Sequence, residues 1–251
     1  MLKGNFNYND NEVIDIDELQ YDETYAYRYR STGYMIGQQW GLKADGYFKD
    51  QAEIAGYAKY DGIQPRPGDL KFVDVNGDNK IDNKDMVPIG YSDVPKYTWG
   101  TALSITYKWF DISALLQGTF KVSGPILGTG PWEWYDFRSF HQNAWTKERA
   151  EKGEKITFPA LAKNQSASEF RHSDYFNMDR SYVRLKNLEI GFTFPQAWSK
   201  VINAKKIRIY ANGYNLITWD KMKFDDWDPE VIANNTYPVL KIVNIGANIT
   251  F

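Results

Sequence analysis

One segment of the sequence carries oxygen ligands at the spacing that a calcium ion requires. Residues 74–85 read DVNGDNKIDNKD. A hard cation such as Ca²⁺ takes six to eight oxygen atoms, and a twelve-residue loop supplies them from positions 1, 3, 5, 7, 9 and 12, with position 7 contributing its backbone carbonyl. The residues at these positions are Asp74, Asn76, Asp78, Lys80, Asp82 and Asp85. The segment therefore predicts a structural calcium site.

This loop departs from the usual pattern at two positions. Position 6 is Asn79 rather than glycine, which is tolerable because asparagine adopts left-handed backbone conformations more readily than most residues. Position 12 is Asp85 rather than glutamate, so bidentate closure must come from a shorter side chain. For an extracellular site we expect weak affinity, about 0.1 to 1 mM. The alternative is a surface turn rich in Asp and Asn that is held by side-chain to backbone hydrogen bonds.

A second group of residues has the chemistry of a contact surface. Trp132, Trp134 and Tyr135 stand beside acidic and basic residues in a polar segment. Aromatic faces next to polar groups can hold a sugar ring or a partner protein. Trp219 and Trp227 are weaker candidates for the same role. For all five residues the alternative is that the rings pack against their own loops.

The sequence lacks the pattern of an enzyme active site. Its two histidines, His141 and His172, lie in polar segments without a nucleophile motif. It has no cysteine, which excludes disulfide bonds, thiolate metal sites and a cysteine nucleophile. A formal charge of -2 and a pI near 5.8 give no sign of the basic surface that binds nucleic acid. We therefore expect neither catalysis nor a nucleic-acid partner.

The elements that must position these residues are β-strands. A length of 251 residues suits a large β domain, and an aromatic content of 16% favours strands over helices. Residues 244–251 alternate polar and apolar side chains and end on Phe251. Because successive side chains of a strand point to opposite faces, one face suits lipid and the other suits water. This pattern predicts the closing strand of a bacterial outer-membrane barrel, where every backbone group must be paired.

Other segments alternate in the same way. We predict about seven antiparallel strands of an all-β transmembrane barrel. They occupy residues 2–8, 34–43, 98–109, 111–121, 182–194, 207–216 and 244–251. Aromatic residues stand at both ends of the apolar face of residues 98–109, as in the girdles that mark the two water interfaces of a bilayer. Glu189 falls on a polar face, which suits a watery lumen.

The predicted connections alternate between short and long, as they do in outer-membrane barrels. Residues 108–110 and 195–206 are short links, whereas residues 49–96, 122–179 and 218–239 are long. We expect the long ones to be extracellular loops, which places the calcium-type segment in the first of them. Residues 9–33 do not fit, because they would be a long connection on the side of the short turns.

The alternative to a membrane barrel is a soluble sandwich whose strands alternate because one face packs on a core. Two features favour the membrane: the aromatic C-terminus, and polar faces made of small uncharged residues rather than Lys and Glu. The mean hydropathy of -0.57 does not distinguish a membrane barrel from a soluble sandwich, since a transmembrane strand needs only about 9 to 11 residues with every second one apolar. The first residues carry no secretion signal, so we expect a longer parent chain.

Runs of residues along the whole chain carry a family resemblance. GQQWGLKADGYF at residues 37–48, PGDLKFVDVNGD at 67–78 and IG at 89–90 are followed by YVRLKNLEIGF at 182–192, IRIYANGYNL at 207–216 and WDPE at 227–230. In this order they resemble the C-terminal part of the SusC/RagA-type TonB-linked outer-membrane proteins of Bacteroidetes. The resemblance spans essentially all 251 residues.

That resemblance implies a transporter. Residues 1–251 would form the C-terminal part of a plugged barrel, about a third of a wall of 22 strands. The family takes up oligosaccharides or peptides across the outer membrane with energy from the TonB complex, and a SusD-like lipoprotein caps the barrel. The plug and the TonB-contacting segment would lie outside this sequence. Gly246, Ile249 and Phe251 would belong to the signal that the barrel-assembly machinery recognises.

Two other hypotheses stay open. A soluble calcium-dependent carbohydrate-binding module would share the aromatic loops and the Asp-rich turn. A remnant without transport activity would expose two unpaired strand edges and aggregate. Membrane partitioning separates the carbohydrate-binding module from the transporter.

Overall fold

Strands dominate the computed structural model, which describes residues 1–19, 21–25, 30–126, 137–164, 166–169, 172–231 and 239–251. The strands are β1 (Leu2–Tyr8), β2 (Gln39–Gly41), β3 (Ala44–Tyr47), β4 (Lys59–Tyr60), β5 (Leu70–Phe72), β6 (Lys80–Ile81), β7 (Val87–Ile89), β8 (Tyr97–Tyr107), β9 (Phe110–Phe120), β10 (Ser123–Pro125), β11 (Asn177–Asp179), β12 (Tyr182–Thr193), β13 (Lys206–Asp220) and β14 (Ile242–Thr250).

The helices are short. They are α1 (Gln51–Ala55), α2 (Lys147–Glu151) and α3 (Gln196–Ser199), with 3-10 turns at Glu23–Tyr25, Asn83–Asp85, Ser139–Asn143 and Lys200–Ile202. Within the described ranges, no helix has the length and apolar character needed to cross a membrane.

Six strands form one antiparallel sheet in the order β1-β8-β9-β12-β13-β14. The register places apolar residues of neighbouring strands opposite one another, such as Ile112 opposite both Ile105 and Ile190. On the other face Ser113 lies opposite Ser104 and Glu189. Six of the predicted strands are confirmed within a few residues, and β13 runs four residues beyond its predicted end, to Asp220.

A β-bulge at Lys186 interrupts the alternation of β12. The register with both neighbouring strands shifts between Leu185 and Asn187. Because one extra residue reverses which side chains face which way, Leu185 and Leu188 both stay on the apolar face. Arg184 lies on the polar face as a result.

The prediction of a wall strand at residues 34–43 is wrong. Only β2 forms there, and it pairs with β7 in a separate two-stranded sheet, while β1 pairs directly with β8. The apolar residues of this segment serve the packing of a connection instead: Leu42 is buried, and Trp40 packs against Tyr34 with ring centroids 4.8 Å apart. Residues 9–96 are therefore one long connection, and the misfit at residues 9–33 disappears.

The connections between the six strands alternate strictly. Two short links connect strands at one end of the sheet, residues 108–109 and 194–205. Three long connections join strands at the opposite end, residues 9–96, 121–181 and 221–241. Since consecutive strands run in opposite directions, all three long connections emerge from the same end of the sheet.

The buried core lies in these long connections. Its cluster of buried side chains consists of Leu42, Phe48, Tyr60, Leu70, Phe72, Ile81, Ile126, Phe140, Ala144, Phe158, Ala167, Phe176, Met178, Met222, Phe224 and Trp227, none of which belongs to the six-stranded sheet. Polar contacts also tie the connections together: the backbone N–H of Leu70 donates to the Ser168 hydroxyl at 2.8 Å, and that hydroxyl donates to the fully buried Asp69 at 3.2 Å. The three connections thus pack as one folded unit beside the sheet.

The apolar face of the sheet, in contrast, is uncovered. Ile245 is 86% exposed, Val243 70% and Ile190 50%. A soluble sheet packs its apolar face on a core, and large exposed apolar patches mark contacts with another partner or a membrane. The sheet therefore requires an apolar environment that the described residues do not supply.

Candidate functional site

The polar face of the sheet carries a hydrogen-bonded network beside the short connections. The guanidinium of Arg208 donates to both Asp111 and Glu189, the latter at 2.8 Å. Asn212 donates to Glu189 at 3.3 Å, and Asn244 donates to Asn212 at 3.0 Å. The network joins β9, β12, β13 and β14, and Glu189 lies on the polar face as predicted. This face is built to meet water or polar groups rather than lipid.

A second polar cluster fixes the last long connection onto the sheet. Arg184 of β12 is 1% exposed, and its guanidinium reaches Asp228 at 2.6 Å and Glu230 at 3.0 Å. Its Nε donates to the Thr218 hydroxyl at 2.8 Å. Lys186, at the bulge, lies 2.9 Å from the Glu230 carboxylate. We call these five residues the strand–loop lock.

The lock also sets the charge of its glutamate. Burial alone would raise the pKa of Glu230, but the hydroxyl of Tyr182, the ammonium of Lys186 and the charge of Arg184 together hold that pKa below its usual range. The carboxylate therefore stays ionised at neutral pH, which keeps the ion pairs intact.

The calcium-type segment folds as a loop whose oxygens already accept local hydrogen bonds. Asp74 accepts the N–H groups of Gly77 and Asn79, both at 2.8 Å. Asp78 accepts the N–H of Lys80 at 2.9 Å, and Asp82 accepts that of Lys84 at 2.6 Å. Asn76 likewise accepts the N–H of Asp78. These bonds are those of an Asp- and Asn-rich turn, the alternative set out above.

Asp85 closes this loop from the inside. It is fully buried, and its carboxylate accepts the N–H groups of Val75 at 2.8 Å and Asp82 at 2.9 Å. Burial raises the pKa of Asp85. Asn79 has φ of 62°, the left-handed conformation predicted for position 6. Among the described residues no three His, Cys, Asp or Glu side chains form a group that could hold a metal. Calcium binding stays a prediction.

The five aromatic candidates for a contact surface have different positions. Trp132, Trp134 and Tyr135 lie outside the described residues. Trp219 is not in a loop but in β13, opposite Val183 on the apolar face, and is 53% exposed. Trp227 is 7% exposed, with its ring centroid 5.2 Å from that of Phe140. Its burial favours the packing role over direct contact with a ligand.

The C-terminal candidates lie on β14 and just beyond it. Gly246 lies opposite Tyr210, and a β-carbon at this glycine would come within 2.5 Å of the tyrosine ring, so a larger residue would displace that ring. Ile249 and Phe251 are 49% and 70% exposed. Their part in barrel assembly stays a prediction.

Sequence reasoning missed the strand–loop lock. Its two carboxylates stand more than forty residues from its arginine, with Asp228 separated from Arg184 by 44 positions and Glu230 by 46. The available signals were an arginine on the polar face of a strand and the WDPE run at residues 227–230, which was noticed only as a family resemblance.

Comparison with known proteins gives relatives along most of the chain. It is 28% identical over 258 aligned positions to TonB-dependent receptor P3 of Formosa agariphila, covering 96% of this chain and 24% of that protein. It is 29% identical over 226 positions to TonB-dependent receptor SusC of Bacteroides thetaiotaomicron, covering 81% and 20%. The chain thus spans about a quarter of the length of these relatives. No family model matches it.

Solved structures share the fold. The RagAB peptide importer in its closed-closed state superposes with a TM-score of 0.65 at 20% identity, covering 100% of this chain and 27% of the other. The open-open state of the same importer gives a TM-score of 0.63 at 21% identity. The six-stranded sheet and its long connections therefore have the fold of part of a large barrel wall.

Proposed function

We propose that this chain, a relative of SusC-type TonB-dependent receptors over most of its length, forms part of the wall and extracellular mouth of an outer-membrane nutrient importer. The observation that carries the proposal is the sheet itself. One face is apolar and uncovered, the other holds a polar network, and all three long connections leave from the same end of the strands. Relatives named as receptors and transporters give no reason to assign catalysis, and the chain is not an enzyme.

The two faces of the sheet suit different surroundings on the two sides of the wall. Exposed Ile, Val and Phe side chains suit the hydrocarbon region, while the Arg208 network suits a watery lumen. Long connections on one side only match the asymmetry of outer-membrane barrels, whose periplasmic turns are short. The location is accordingly the outer membrane of a Gram-negative bacterium.

The proposed cargo and partners are inferred from the family resemblance. An oligosaccharide or a peptide is the cargo, and the fold shared with the RagAB peptide importer supports a nutrient of this class. A SusD-like lipoprotein covers the mouth, and the TonB complex supplies energy through regions of the parent protein outside this chain.

Fractionation of the full-length protein tests the proposal. We expect it in the outer-membrane fraction, with electrophoretic migration that changes on heating as for a folded barrel, and co-purifying with a SusD-like lipoprotein. A detergent-free soluble monomer that binds glycan alone would establish the carbohydrate-binding module instead.

Calcium is the proposed structural ion of the loop at residues 74–85. Titration of the purified full-length protein with Ca²⁺ should give one saturable uptake with Kd of about 0.1 to 1 mM. Asp78→Ala should abolish it, because Asp78 is the predicted ligand at position 5. Its carboxylate is exposed, so the change leaves the buried Asp85 in place. Asp45→Ala, an exposed carboxylate outside the loop, is the matched control. Calorimetry that detects no uptake at millimolar Ca²⁺, or equal uptake by Asp78→Ala, refutes the ion.

A further inference from the structure

A cavity of about 370 Å³ opens between the polar face of the sheet and the three long connections. Its wall includes Gln117 and Tyr182 from the strands, Arg180 just before β12, Lys186 at the bulge, and Asp93 and Glu230 from the connections. The strand–loop lock forms one side of it. The cavity is thus built from four separate parts of the chain, each held by its own contacts.

Arg180 lines this cavity without a carboxylate partner. Its Nε donates to the carbonyl of Pro229 at 3.0 Å and one terminal nitrogen to the carbonyl of Glu230 at 3.5 Å. In the described part of the chain its guanidinium forms no ion pair. An arginine has five N–H donors, so further donors remain for a ligand. Burial lowers its pKa, which marks a partly desolvated charge.

Lys186 adds a second cation that is only partly neutralised. Among the described residues its one carboxylate partner is Glu230, which is shared with Arg184 and also accepts a hydrogen bond from the hydroxyl of Tyr182. Asp93 is the other acid on the wall, but it is exposed, where water and salt screen its charge. The β-bulge is what brings Lys186 here, and bulges commonly re-aim a side chain beside a binding site.

We propose that this cavity binds a carboxylate group of the imported nutrient through Arg180 and Lys186, an inference that rests on the proposed function. The planar guanidinium suits the two oxygens of a carboxylate, and the ammonium adds a point charge. Gln117 and Tyr182 supply neutral polar groups for the adjoining part of the ligand. The carboxylate is either the C-terminus or an acidic side chain of a peptide, or the uronate of an acidic oligosaccharide.

Native mass spectrometry of the full-length protein in detergent tests this with two pairs of probes. One pair is a tetrapeptide library rich in Asp and Glu with free C-termini, and the matching library in which Asn and Gln replace these residues and the C-termini are amidated. The other is a set of oligogalacturonates and their methyl esters. At least one acidic probe should bind at least about tenfold tighter than its neutral counterpart, since hydrogen bonds to charged groups contribute about 1.5 to 3 kcal/mol. The pair that shows the difference identifies the source of the carboxylate.

Variants assign the effect to the cavity. Arg180→Gln and Lys186→Met should each weaken the acidic probe by about tenfold. Arg180→Lys should retain only part of the binding, because it keeps the charge but loses the planar guanidinium that suits both carboxylate oxygens. Lys206→Gln removes a cation from the same polar face near the short connections, outside the cavity, and should leave binding unchanged. Heat-dependent migration checks that each variant is folded.

Two results overturn the inference: equal binding of acidic and neutral probes in both pairs, or undiminished binding by folded Arg180→Gln. In either case a protein that partitions into the outer membrane and imports nutrient still supports the proposed function. A soluble protein would refute the proposed function and the inference with it.

Discussion

Arg184→Met should release the last long connection from the sheet and lower the stability of the lock by about 3 kcal/mol or more, as removal of one partner from a buried ion pair does. The guanidinium is 1% exposed and is the only group that contacts both Asp228 and Glu230 at hydrogen-bond distance within the described residues. Methionine fills much of the same space but leaves both carboxylates without this partner. The side chains of these acids are only 15% and 22% exposed, so water compensates poorly.

Hydrogen exchange of the full-length protein measures this effect. Backbone amides at residues 221–231 should exchange about 100-fold faster in Arg184→Met, the factor that corresponds to about 2.7 kcal/mol. Arg208→Met is the matched control, because it removes a polar-face arginine from the other network and should leave residues 221–231 protected. Unchanged exchange at residues 221–231 in Arg184→Met would show that apolar packing around Trp227 holds the connection without the lock.

Acid should act on the same amides. The pKa of Glu230 in the folded state lies below its usual value, so its contribution is present above that usual value and is lost as pH falls through the lowered one. Protection factors at residues 221–231, which correct for the slower intrinsic exchange in acid, should therefore fall in the wild type on acidification below about pH 4.5, the ordinary range of a glutamate. In Arg184→Met this fall should be smaller.

The wall strands were predictable because their signal is local. In β8 and β9 every second residue is apolar or glycine apart from Thr101, and a period of two depends only on which face each side chain takes. Pairing of these strands across a link of residues 108–109 follows from the same run. Residues 34–43 show the limit: alternation predicts that one face is covered by something apolar, but not that the cover is a loop core rather than lipid.

The site was less predictable because its contacts are not local. The calcium-type spacing could be read completely, yet the same Asp and Asn oxygens serve either a metal or the backbone N–H groups beside them, as at Asp74. The strand–loop lock and Arg180 depend on how a connection folds back on β12. No periodicity records that, and the bulge at Lys186 shifts the side-chain pattern at that point.

Replacing an apolar-face residue by lysine should reveal what covers the sheet. Leu103 and Ser104 are neighbours in the middle of β8 and point to opposite faces, with Leu103 opposite Ala114 and Ser104 opposite Ser113. In a bilayer, Leu103→Lys should destabilise the barrel by about 2 to 4 kcal/mol, the cost of a lysine facing the hydrocarbon near the midplane. Ser104→Lys should have a much smaller effect, because the polar face meets water and hydrogen-bonding groups.

The pair of variants tests whether the apolar face meets lipid or water, because the two environments predict opposite outcomes at Leu103. If this face met water, Leu103, already 37% exposed, would lie at a surface where lysine can place its charge in solvent, so the change would stay within about 0.5 kcal/mol. Denaturant unfolding of the full-length protein in phospholipid vesicles, followed by heat-dependent migration, measures both variants against the wild type. A large loss for Leu103→Lys alone establishes lipid on the apolar face, whereas equal stability of both variants would place that face in water.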